Sequence, residues 1–477
     1  MDLFAVKSLR RILRESESGK HHLKRTLGPL NLVLLGIGAV IGAGLFAITP
    51  TAANMNAGPS IIFSFIIGGI GCAFAGMCYS EFSTMIPVAG SAYTYAYATM
   101  GELLAWIIGW DLVLEYAVGA ATLGVSWSSY LVKLLGRFGM ALPHSITAGP
   151  FEGGIVNIPA IFVICLTSAI LIIGISESAK FNAVIVALKV TIVLLVIFVG
   201  WAHIDPANHT PLIPPNTGEF GQFGISGIMR AAGIVFFAYI GFDAVSTAAQ
   251  EARKPGRDMP IGIIGSLAIC TLLYVLFAWV LTGIKNYKDM GPTAIDDALT
   301  GIGYSWLSTG VIVGILCGYT SVILVMLLGQ SRVFYSMSRD GLLPSVFSAI
   351  HPKFLTPWKS NLLLMVFVSL FSGFVPLASL GEMTSIGTLL AFVIVCIAVI
   401  VMRKTNPNAP RPYRTPWVPL IPILGILVCF AMMASLEAAT WIRLVVWLAI
   451  GLAIYFGWSR YHSHLVTDPE SAYDNPK

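Results

Sequence analysis

Four ionisable side chains lie far inside long apolar runs of the 477-residue sequence: Asp111, Glu115, Lys189 and Asp243. Charge is costly to bury in an apolar medium, so each of these groups is a candidate for function. Asp111 and Glu115 are four residues apart, which puts both carboxyls on one side of a helix. Because two such carboxyls do not both ionise readily in a low dielectric, at least one is predicted to hold a proton. Proton carriage is one interpretation; a protonated carboxyl that only hydrogen-bonds a neighbouring helix is the other, and we favour it for Asp111.

Lys189 lies about 13 Å along the axis of a helix that starts near residue 180. This depth is close to the middle of a hydrocarbon core roughly 30 Å thick. An ammonium there must be paired, bonded to backbone carbonyls or neutral. Two roles stay open for Lys189: a group that titrates and couples a process to protons, or a fixed cation that holds carbonyls together where a sodium ion would otherwise sit.

The elements that carry these residues are predicted to be membrane-spanning helices. The chain is 56% hydrophobic and 11% charged, with a mean hydropathy of +0.82, whereas soluble domains carry roughly 25% charged residues. The apolar runs are about 20 residues long, which fits helices and not the strands of a barrel. Twelve spans are predicted, at about 29–55, 60–86, 98–130, 157–176, 180–201, 223–250, 260–284, 303–338, 359–378, 383–402, 416–436 and 438–460.

The connections between these spans are too short to fold as separate soluble domains. We therefore divide the chain into a basic N-terminal segment (1–28), a single transmembrane domain (29–460) and a tail (461–477). About 21 Lys and Arg residues fall on one set of connections and about 5 on the other, which predicts that both termini are cytoplasmic. Two interpretations of residues 1–28 stay open: a segment that lies on an anionic membrane surface, and a solvated tail. The seven cysteines all lie inside apolar runs without a C-x-x-C pair, which argues against a disulfide framework or a metal site.

Glycines interrupt two spans, the first (GIGAVIGAGLF, 36–46) and the sixth (FFAYIGFDAVS, 236–246). Glycine destabilises a helix interior, and paired Gly-interrupted helices at matched positions of two inverted halves indicate a substrate site in a transporter. The alternative is that glycines only let membrane helices pack closely. We favour two broken helices. Asp243, just after the second break, is then predicted to cap the unwound segment, with contact to a cationic group of the substrate as the alternative.

Broken helices predict a particular ligand. The half-helix that begins near Gly44 exposes N–H groups and a positive dipole end, which suit a carboxylate. The unwound residues 237–240 offer carbonyls, which suit an ammonium. The sequence therefore predicts a site for an α-amino acid and the movement of a small solute across a bilayer. A channel or a non-transporting amino acid sensor is an alternative, whereas an enzyme is disfavoured because the sequence has no metalloprotease, P-loop or nucleophile-elbow motif.

The ordered motifs also resemble those of a known family. LGIGAVIGAGLFAITPTAA, NAGPS, YSEF, PVAGSAYTYAY, GELLAWIIGWDLVLEYAVG, FFAYIGFDAVST and SRDGLLP together resemble the amino acid–polyamine–organocation superfamily, nearest to the bacterial form of its cationic amino acid transporter branch. The resemblance runs from about residue 25 to about residue 460. It implies an all-α polytopic membrane protein with the leucine-transporter-type fold. In that fold two inverted five-helix repeats (about 29–201 and 223–402) are followed by two further helices (about 416–460), twelve transmembrane helices in all.

The resemblance implies roles for individual residues. It places the substrate carboxylate at Val40, Gly42, Ala43 and Gly44, and the ammonium at the carbonyls of Phe237, Ala238 and Ile240, with Phe237 also serving as a gate. Some relatives have Thr where this chain has Ala43, so a hydroxyl contact there is lost. Lys189 matches a lysine at the second sodium position, which implies sodium independence and fits proton coupling. Glu115 and Asp243 match acidic positions of this branch.

Met326 bears on the choice of substrate. The animal cationic transporters are expected to have a small serine at this position, and a methionine would fill the space that a long cationic side chain needs. We therefore favour a small or neutral L-amino acid over arginine, lysine or ornithine. The predicted protein is a proton-coupled, multi-pass transporter of the plasma membrane that needs no cofactor or metal. Its predicted partners are the amino acid, protons and membrane lipid or sterol, with a single-helix accessory subunit left open and no nucleic acid.

Overall fold

The regular elements of the described part of the chain are helices. The computed structural model describes residues 5–8, 12, 27–86, 91–174, 179–247, 249 and 252–467. Within these ranges the extended pairing is limited to one isolated bridge, between Leu27 and Ala252. The main helices are α1 Pro29–Val40, α2 44–57, α3 Ile61–Met85, α4 Ser91–Thr99, α5 Glu102–Arg137, α6 Ile158–Ile173, α7 Ala179–Trp201, α8 Gly224–Tyr239, α9 Ala244–Thr247, α10 Pro255–Ile284, α11 Ala294–Gly301, α12 Ser305–Arg339, α13 Trp358–Phe374, α14 Leu377–Thr405, α15 Leu420–Ser435 and α16 Ala438–His462.

Seven helical stretches in the described ranges are long and apolar enough to cross a membrane, and five further apolar helices are shorter. Each predicted span has a helical counterpart, and the predicted all-α class is confirmed. The number of membrane crossings and the inverted repeat stay predictions. Two short helices, α4 and α11, lie almost entirely in segments that the sequence analysis assigned to connections, because neither is long enough to read as a membrane span.

The helices form two packed groups. In one, α10 packs against α1 and α3, and α3 packs against α8. In the other, α5 packs against α12 and α6, and α13 packs against α6. Helix α7 contacts α1, α10 and α12 and so joins the groups, as does α14, which contacts α3 and α5. The predicted substrate-binding residues of the first and sixth spans therefore lie in the interior of the protein, between the two groups of helices.

Small residues let the first group approach closely. A Cβ at Gly262 of α10 would lie 2.6 Å from the Cβ of Leu32 in α1, and a Cβ at Gly36 of α1 would lie 2.4 Å from Ser266 Oγ. Neither distance leaves room for a larger side chain without movement of the helices. Close packing thus accounts for Gly36, as the alternative interpretation of the glycines proposed.

The described residues near the N-terminus fit neither of the two interpretations of residues 1–28, a segment on the membrane surface or a solvated tail. Lys7 is only 7% exposed, and its ammonium lies 2.8 Å from Asp340 at the end of α12. Its backbone N–H donates to Tyr97, and the Glu102 N–H donates to Ala5. Residues 5–8 are thus bound to the protein and tie α4 and α5 to α12. The basic composition hid this docking because a buried, paired lysine is rare.

Two charged residues near span ends are held in ion pairs. The Glu81 carboxylate, 1% exposed, accepts both Arg403 bonds at 2.8 Å, an Arg411 bond at 3.2 Å and the Thr415 N–H at 2.8 Å. Arg230 pairs with Glu437. A buried carboxylate with this many charge-assisted hydrogen bonds fixes the positions of the elements around it.

A second ionic network closes the opposite end of the bundle. Arg137, at the end of α5, binds Asp296 of α11, and Asp297 lies 2.8 Å from Lys133 and 3.2 Å from Lys285. Partial burial alone would raise the pKa of Asp297, but hydrogen bonds and charge from the two lysines outweigh it and lower the pKa below its ordinary value. The network joins α5 to α10 through α11.

Candidate functional site

The first span is broken, as predicted. Helix α1 ends at Val40, and Ile41 is extended, with φ −73° and ψ 105°. The chain becomes helical again at Gly44, where it enters a wide, π-type turn. The first N–H groups of this second half have no carbonyl of the preceding turn to bind, and they carry the positive end of its dipole.

The sixth span is broken as well. Helix α8 closes in a tight 3-10 turn over Phe236–Tyr239, Ile240 is extended with ψ 136°, and Gly241 has φ +110°. Only glycine adopts that backbone conformation readily. A Cβ at Gly241 would also lie 2.8 Å from the Ala39 carbonyl oxygen, so close approach to α1 gives a second reason for this glycine.

The two breaks lie against each other in the interior. A Cβ at Gly44 would lie 2.2 Å from the Ala238 Cα, so the backbones of the first and sixth spans are in direct contact there. The Tyr274 hydroxyl lies 2.8 Å from the Ala238 carbonyl oxygen and 3.1 Å from that of Val40. One tyrosine of α10 therefore bridges the ends of both broken helices.

The structure brings together the seven residues that the sequence predicts to hold an amino acid, and all of them are buried. Gly42, Ala43 and Gly44 stand where the second half-helix begins, whereas Val40 presents a carbonyl that already binds Tyr274. Of the sixth-span carbonyls, that of Phe237 accepts the Ile240 N–H at 3.3 Å. The geometry can offer N–H groups to an anion on one side and carbonyls to a cation on the other.

Lys189 adopts one of the arrangements expected of it. Its side chain is 2% exposed, and Nζ donates to the Gly38 carbonyl at 2.8 Å. Its aliphatic stem lies beside Gly318 of α12, where an added Cβ would be 3.1 Å from Lys189 Cε. Lys189 therefore lies between α1 and α12 and supports the last turn of α1 before the break.

Apolar side chains form the wall next to the first break. A Cβ at Gly42 would lie 3.4 Å from Leu123 and 3.7 Å from Val322, both ordinary contacts. One turn further along α12, Met326 is 5% exposed and lies where a Cβ at Gly119 would be 3.1 Å from its sulfur. A ligand side chain that points from the break toward α5 and α12 meets hydrocarbon and a thioether.

The acidic residues lie on the other side of the sixth-span break. Glu115 is in a π-type turn of α5, Leu114–Val118, and such widened turns are frequent at functional sites. Asp243 accepts a hydrogen bond from the Tyr116 hydroxyl and interacts with the Glu115 carboxyl. Asp111, also fully buried, lies against Gly387 of α14.

Tyr274 and Tyr116 were missed in the sequence. Each is a tyrosine well inside an apolar helix, and a buried phenol needs a hydrogen-bond partner. This requirement marks both tyrosines as residues with a hydrogen-bond partner in the interior. The sequence does not identify the partners, because the carbonyls and the carboxylate that the tyrosines bind belong to other parts of the chain. The predicted lipid or sterol contacts and the accessory subunit stay predictions.

Comparison with known proteins gives the same class. The profile of the Amino acid permease family matches residues 27–455. The chain is 43% identical to the methylthioribose transporter of Bacillus subtilis and 42% identical to its branched-chain amino acid permease BcaP, over 97% of this chain and 99% of each relative. It is 36% identical to the vacuolar cationic amino acid transporter 4 of Arabidopsis thaliana, over 82% of this chain and 65% of that protein.

Proposed function

The chain belongs to the Amino acid permease family, and from that premise we propose that it is a secondary active transporter of a neutral L-amino acid. It is a multi-pass membrane protein and not an enzyme. The proposed location is the plasma membrane with both termini in the cytoplasm. The observation that carries the proposal is the contact between two broken helices at Gly44 and Ala238.

The proposed site binds both charged groups of the substrate with backbone atoms. N–H groups at Gly42, Ala43 and Gly44 receive the α-carboxylate, helped by the dipole of the half-helix. Carbonyls of Phe237, Ala238 and Ile240 receive the α-ammonium. Each carbonyl has two lone pairs, so the hydrogen bonds already made to Phe237 and Ala238 leave one acceptor on each.

The side-chain pocket favours an apolar amino acid. Leu123 and Val322 lie beside Gly42, and Met326 lies one turn further along α12, beside Gly119. A guanidinium placed against these three side chains would lose its hydration without gaining an acceptor from them. A branched aliphatic or thioether side chain fits the same surface. The 42% identity to a branched-chain amino acid permease supports this preference, whereas the cationic transporters are less similar.

Protons are the proposed coupling ion. Lys189 places an ammonium against the Gly38 carbonyl, which supports sodium independence because a fixed cation there takes the role of a bound sodium ion. Glu115 and Asp243 are fully buried carboxyls beside the break, and one proton shared between them would remove one of the two negative charges of the pair. Loading and release of that proton, together with substrate, would drive accumulation.

The test is uptake into proteoliposomes screened over the twenty amino acids, with a pH gradient or a sodium gradient imposed separately. We expect accumulation of leucine, isoleucine, valine or methionine driven by an inward proton gradient and indifferent to sodium. Sodium-driven uptake that ignores pH would overturn the coupling proposal. Tight binding without counterflow would instead identify a sensor.

Methylthioribose is a second candidate substrate, because the chain is 43% identical to a transporter of that compound. This sugar has a methylthio group that suits the apolar wall but has neither a carboxylate nor an ammonium. Inclusion of methylthioribose and arginine in the screen separates the three substrate classes. Transport of methylthioribose alone would mean that the substrate is not selected by the N–H groups of the first break and the carbonyls of the sixth-span break.

A further inference from the structure

Gly119 of α5 is a buried glycine at a position where the backbone does not require one. Its φ of −59° and ψ of −43° are those of an ordinary right-handed helix, which residues with a side chain adopt readily. Glycine weakens a helix interior, so its presence here needs a reason other than backbone conformation. The reason is space, because an added Cβ would lie 3.1 Å from the Met326 sulfur and 3.3 Å from the Thr384 methyl carbon, both closer than ordinary contacts.

The neighbours of Gly119 differ from those of the glycine at the first helix break. At Gly44 an added Cβ would meet backbone atoms of the sixth span, so that glycine lets two main chains approach. At Gly119 the three nearest atoms of other elements belong to side chains: the sulfur and terminal methyl of Met326 and the methyl of Thr384. The Thr384 hydroxyl donates to a carbonyl of its own helix at 2.9 Å. The missing side chain of Gly119 therefore makes room for apolar atoms of α12 and α14.

Gly119 and Met326 lie one helical turn from the level at which α5 and α12 meet the first break. That level is marked by Gly42, where an added Cβ would lie 3.4 Å from Leu123 and 3.7 Å from Val322. Leu123 follows Gly119 by four residues, after the π-type turn of α5 has ended. Val322 precedes Met326 by four residues in the unbroken helix α12. Residues four apart share a helix face, so both pairs line the same side of the first break.

The direction of the Met326 side chain links it to the proposed substrate pocket. Long side chains in a helix point back toward the helix N-terminus, and in α12 that direction leads from Met326 to Val322 and so to the first break. Methionine is unbranched, and its side chain adapts to the space available. With glycine at position 119 the thioether lies against α5. A larger residue there would displace the thioether toward Val322 and Gly42.

We propose that Gly119 is a specificity-determining residue, which sets the length of the amino acid side chain that the site accepts. This inference rests on the proposed function and deepens it. The space left by Gly119 holds the end of the Met326 side chain, so the pocket beside the first break stays long enough for leucine or methionine. A side chain at position 119 would push Met326 into that pocket and restrict the substrate to side chains of the size of alanine.

The opposing interpretation is that Gly119 only lets α5 and α12 pack closely, as Gly36 does for α1 and α10. In that case a side chain at position 119 would weaken the transport of all substrates to the same degree. If Gly119 acts through Met326, the loss falls on long side chains and spares short ones. A change in selectivity, and not in overall activity, therefore distinguishes the two interpretations.

The experiment compares Gly119→Ala and Gly119→Val with the matched controls Gly124→Ala and Gly124→Val in reconstituted full-length protein. Gly124 is buried in the same helix, and a Cβ there would be similarly crowded, 3.3 Å from the Ile164 side chain, but it faces α6. The probe is radiolabelled valine. The readout is the concentration of unlabelled leucine, and that of unlabelled alanine, that halves valine counterflow. The ratio of these two concentrations does not depend on the amount of folded protein.

The ratio of the leucine concentration to the alanine concentration should rise about tenfold or more in Gly119→Val, because a misfit of one methylene group in an apolar pocket changes recognition by that amount. Gly119→Ala should raise the ratio about threefold, since the Met326 sulfur must then move by only a few tenths of an ångström. Both Gly124 variants should stay within about twofold of wild type. Met326→Ala in the Gly119→Val background removes the displaced thioether and should bring the ratio back toward the wild-type value.

An unchanged ratio in both Gly119 variants would overturn this inference alone, and an equal rise of both concentrations would show the packing role instead. A ratio that Met326→Ala does not restore would also overturn it, because the proposed effect passes through Met326. If Gly119→Val carries no valine, the ratio in Gly119→Ala decides. Failure of the proposed function looks different: wild-type protein without valine counterflow, or with counterflow that neither leucine nor alanine inhibits, does not transport apolar amino acids, and the role of Gly119 fails with it.

Discussion

Substitution of Gly44 by alanine should separate the two broken helices and weaken the binding of substrate. The added Cβ would lie 2.2 Å from the Ala238 Cα and 2.5 Å from its backbone nitrogen, and real Cβ contacts essentially never fall below 3.0 Å. The clash is with backbone, so no rotamer change relieves it. The first and sixth spans must therefore move apart by about 0.8 Å.

That displacement has a calculable effect on a ligand gripped from both sides. A hydrogen bond of about 2.9 Å lengthened by about 0.8 Å falls outside bonding distance. Loss of one bond to a charged group costs about 1.5–3 kcal/mol, so affinity for the amino acid should fall roughly 10-fold to 100-fold. The measurement is the substrate concentration that gives half-maximal counterflow in proteoliposomes, together with the melting temperature of the purified protein.

Two further variants make the test specific. Gly136→Ala adds the same methyl group in α5, where nothing lies within 4 Å, and should behave as wild type. Ala238→Gly in the Gly44→Ala background removes the Ala238 methyl but not its Cα or nitrogen, so it should not restore transport. Wild-type affinity in Gly44→Ala would mean that the two helices do not meet at this residue, and the reasoning would be wrong.

Three other perturbations have distinct expected outcomes. Met326→Ser should raise arginine uptake and reduce uptake of apolar amino acids, measured by competition in proteoliposomes; no change in either would place Met326 outside the pocket. Lys7→Ala should weaken the tie between the N-terminal segment and Asp340 and lower the melting temperature. Asp340→Asn should lower it further, because Asp340 also accepts a hydrogen bond from the Tyr93 hydroxyl, and the double variant should lose less than the sum of the two single losses. Asp297→Asn should destabilise the protein at neutral pH. The folded-state pKa of Asp297 is lowered, so its stabilisation is present above the unfolded-state pKa and is lost as the pH falls through the folded-state pKa; the difference in melting temperature from wild type should therefore shrink in acid.

The sequence allowed the breaks to be predicted but not their contact. Glycine clusters at residues 36–44 and Gly241 mark positions where a helix is weak, and the structure has breaks at both places. That Gly44 touches Ala238 depends on the packing of α1 against α10 and of α8 against α3, a long-range arrangement with no local signal. The same limit applies to Tyr274, whose two carbonyl partners are 36 and 234 residues away.

For the buried charges as well, the sequence predicts that a partner is needed but not which partner it is. A deep Lys189 could be predicted to need carbonyls or a counter-charge, since an apolar interior requires one or the other. Which carbonyl it binds, that of Gly38, follows from the way α7 crosses α1.

The ionic site of Glu81 has a consequence for biosynthesis. Its principal partner, Arg403, follows 322 residues later in the chain, and at about 5–20 residues per second a ribosome needs on the order of half a minute to cover that distance. During this interval the Glu81 carboxylate, near the end of α3, has neither Arg403 nor Arg411 to pair with. We expect chains truncated after residue 402 to be degraded rapidly, and Glu81→Gln to lengthen the lifetime of the truncated chains but to shorten that of the complete protein.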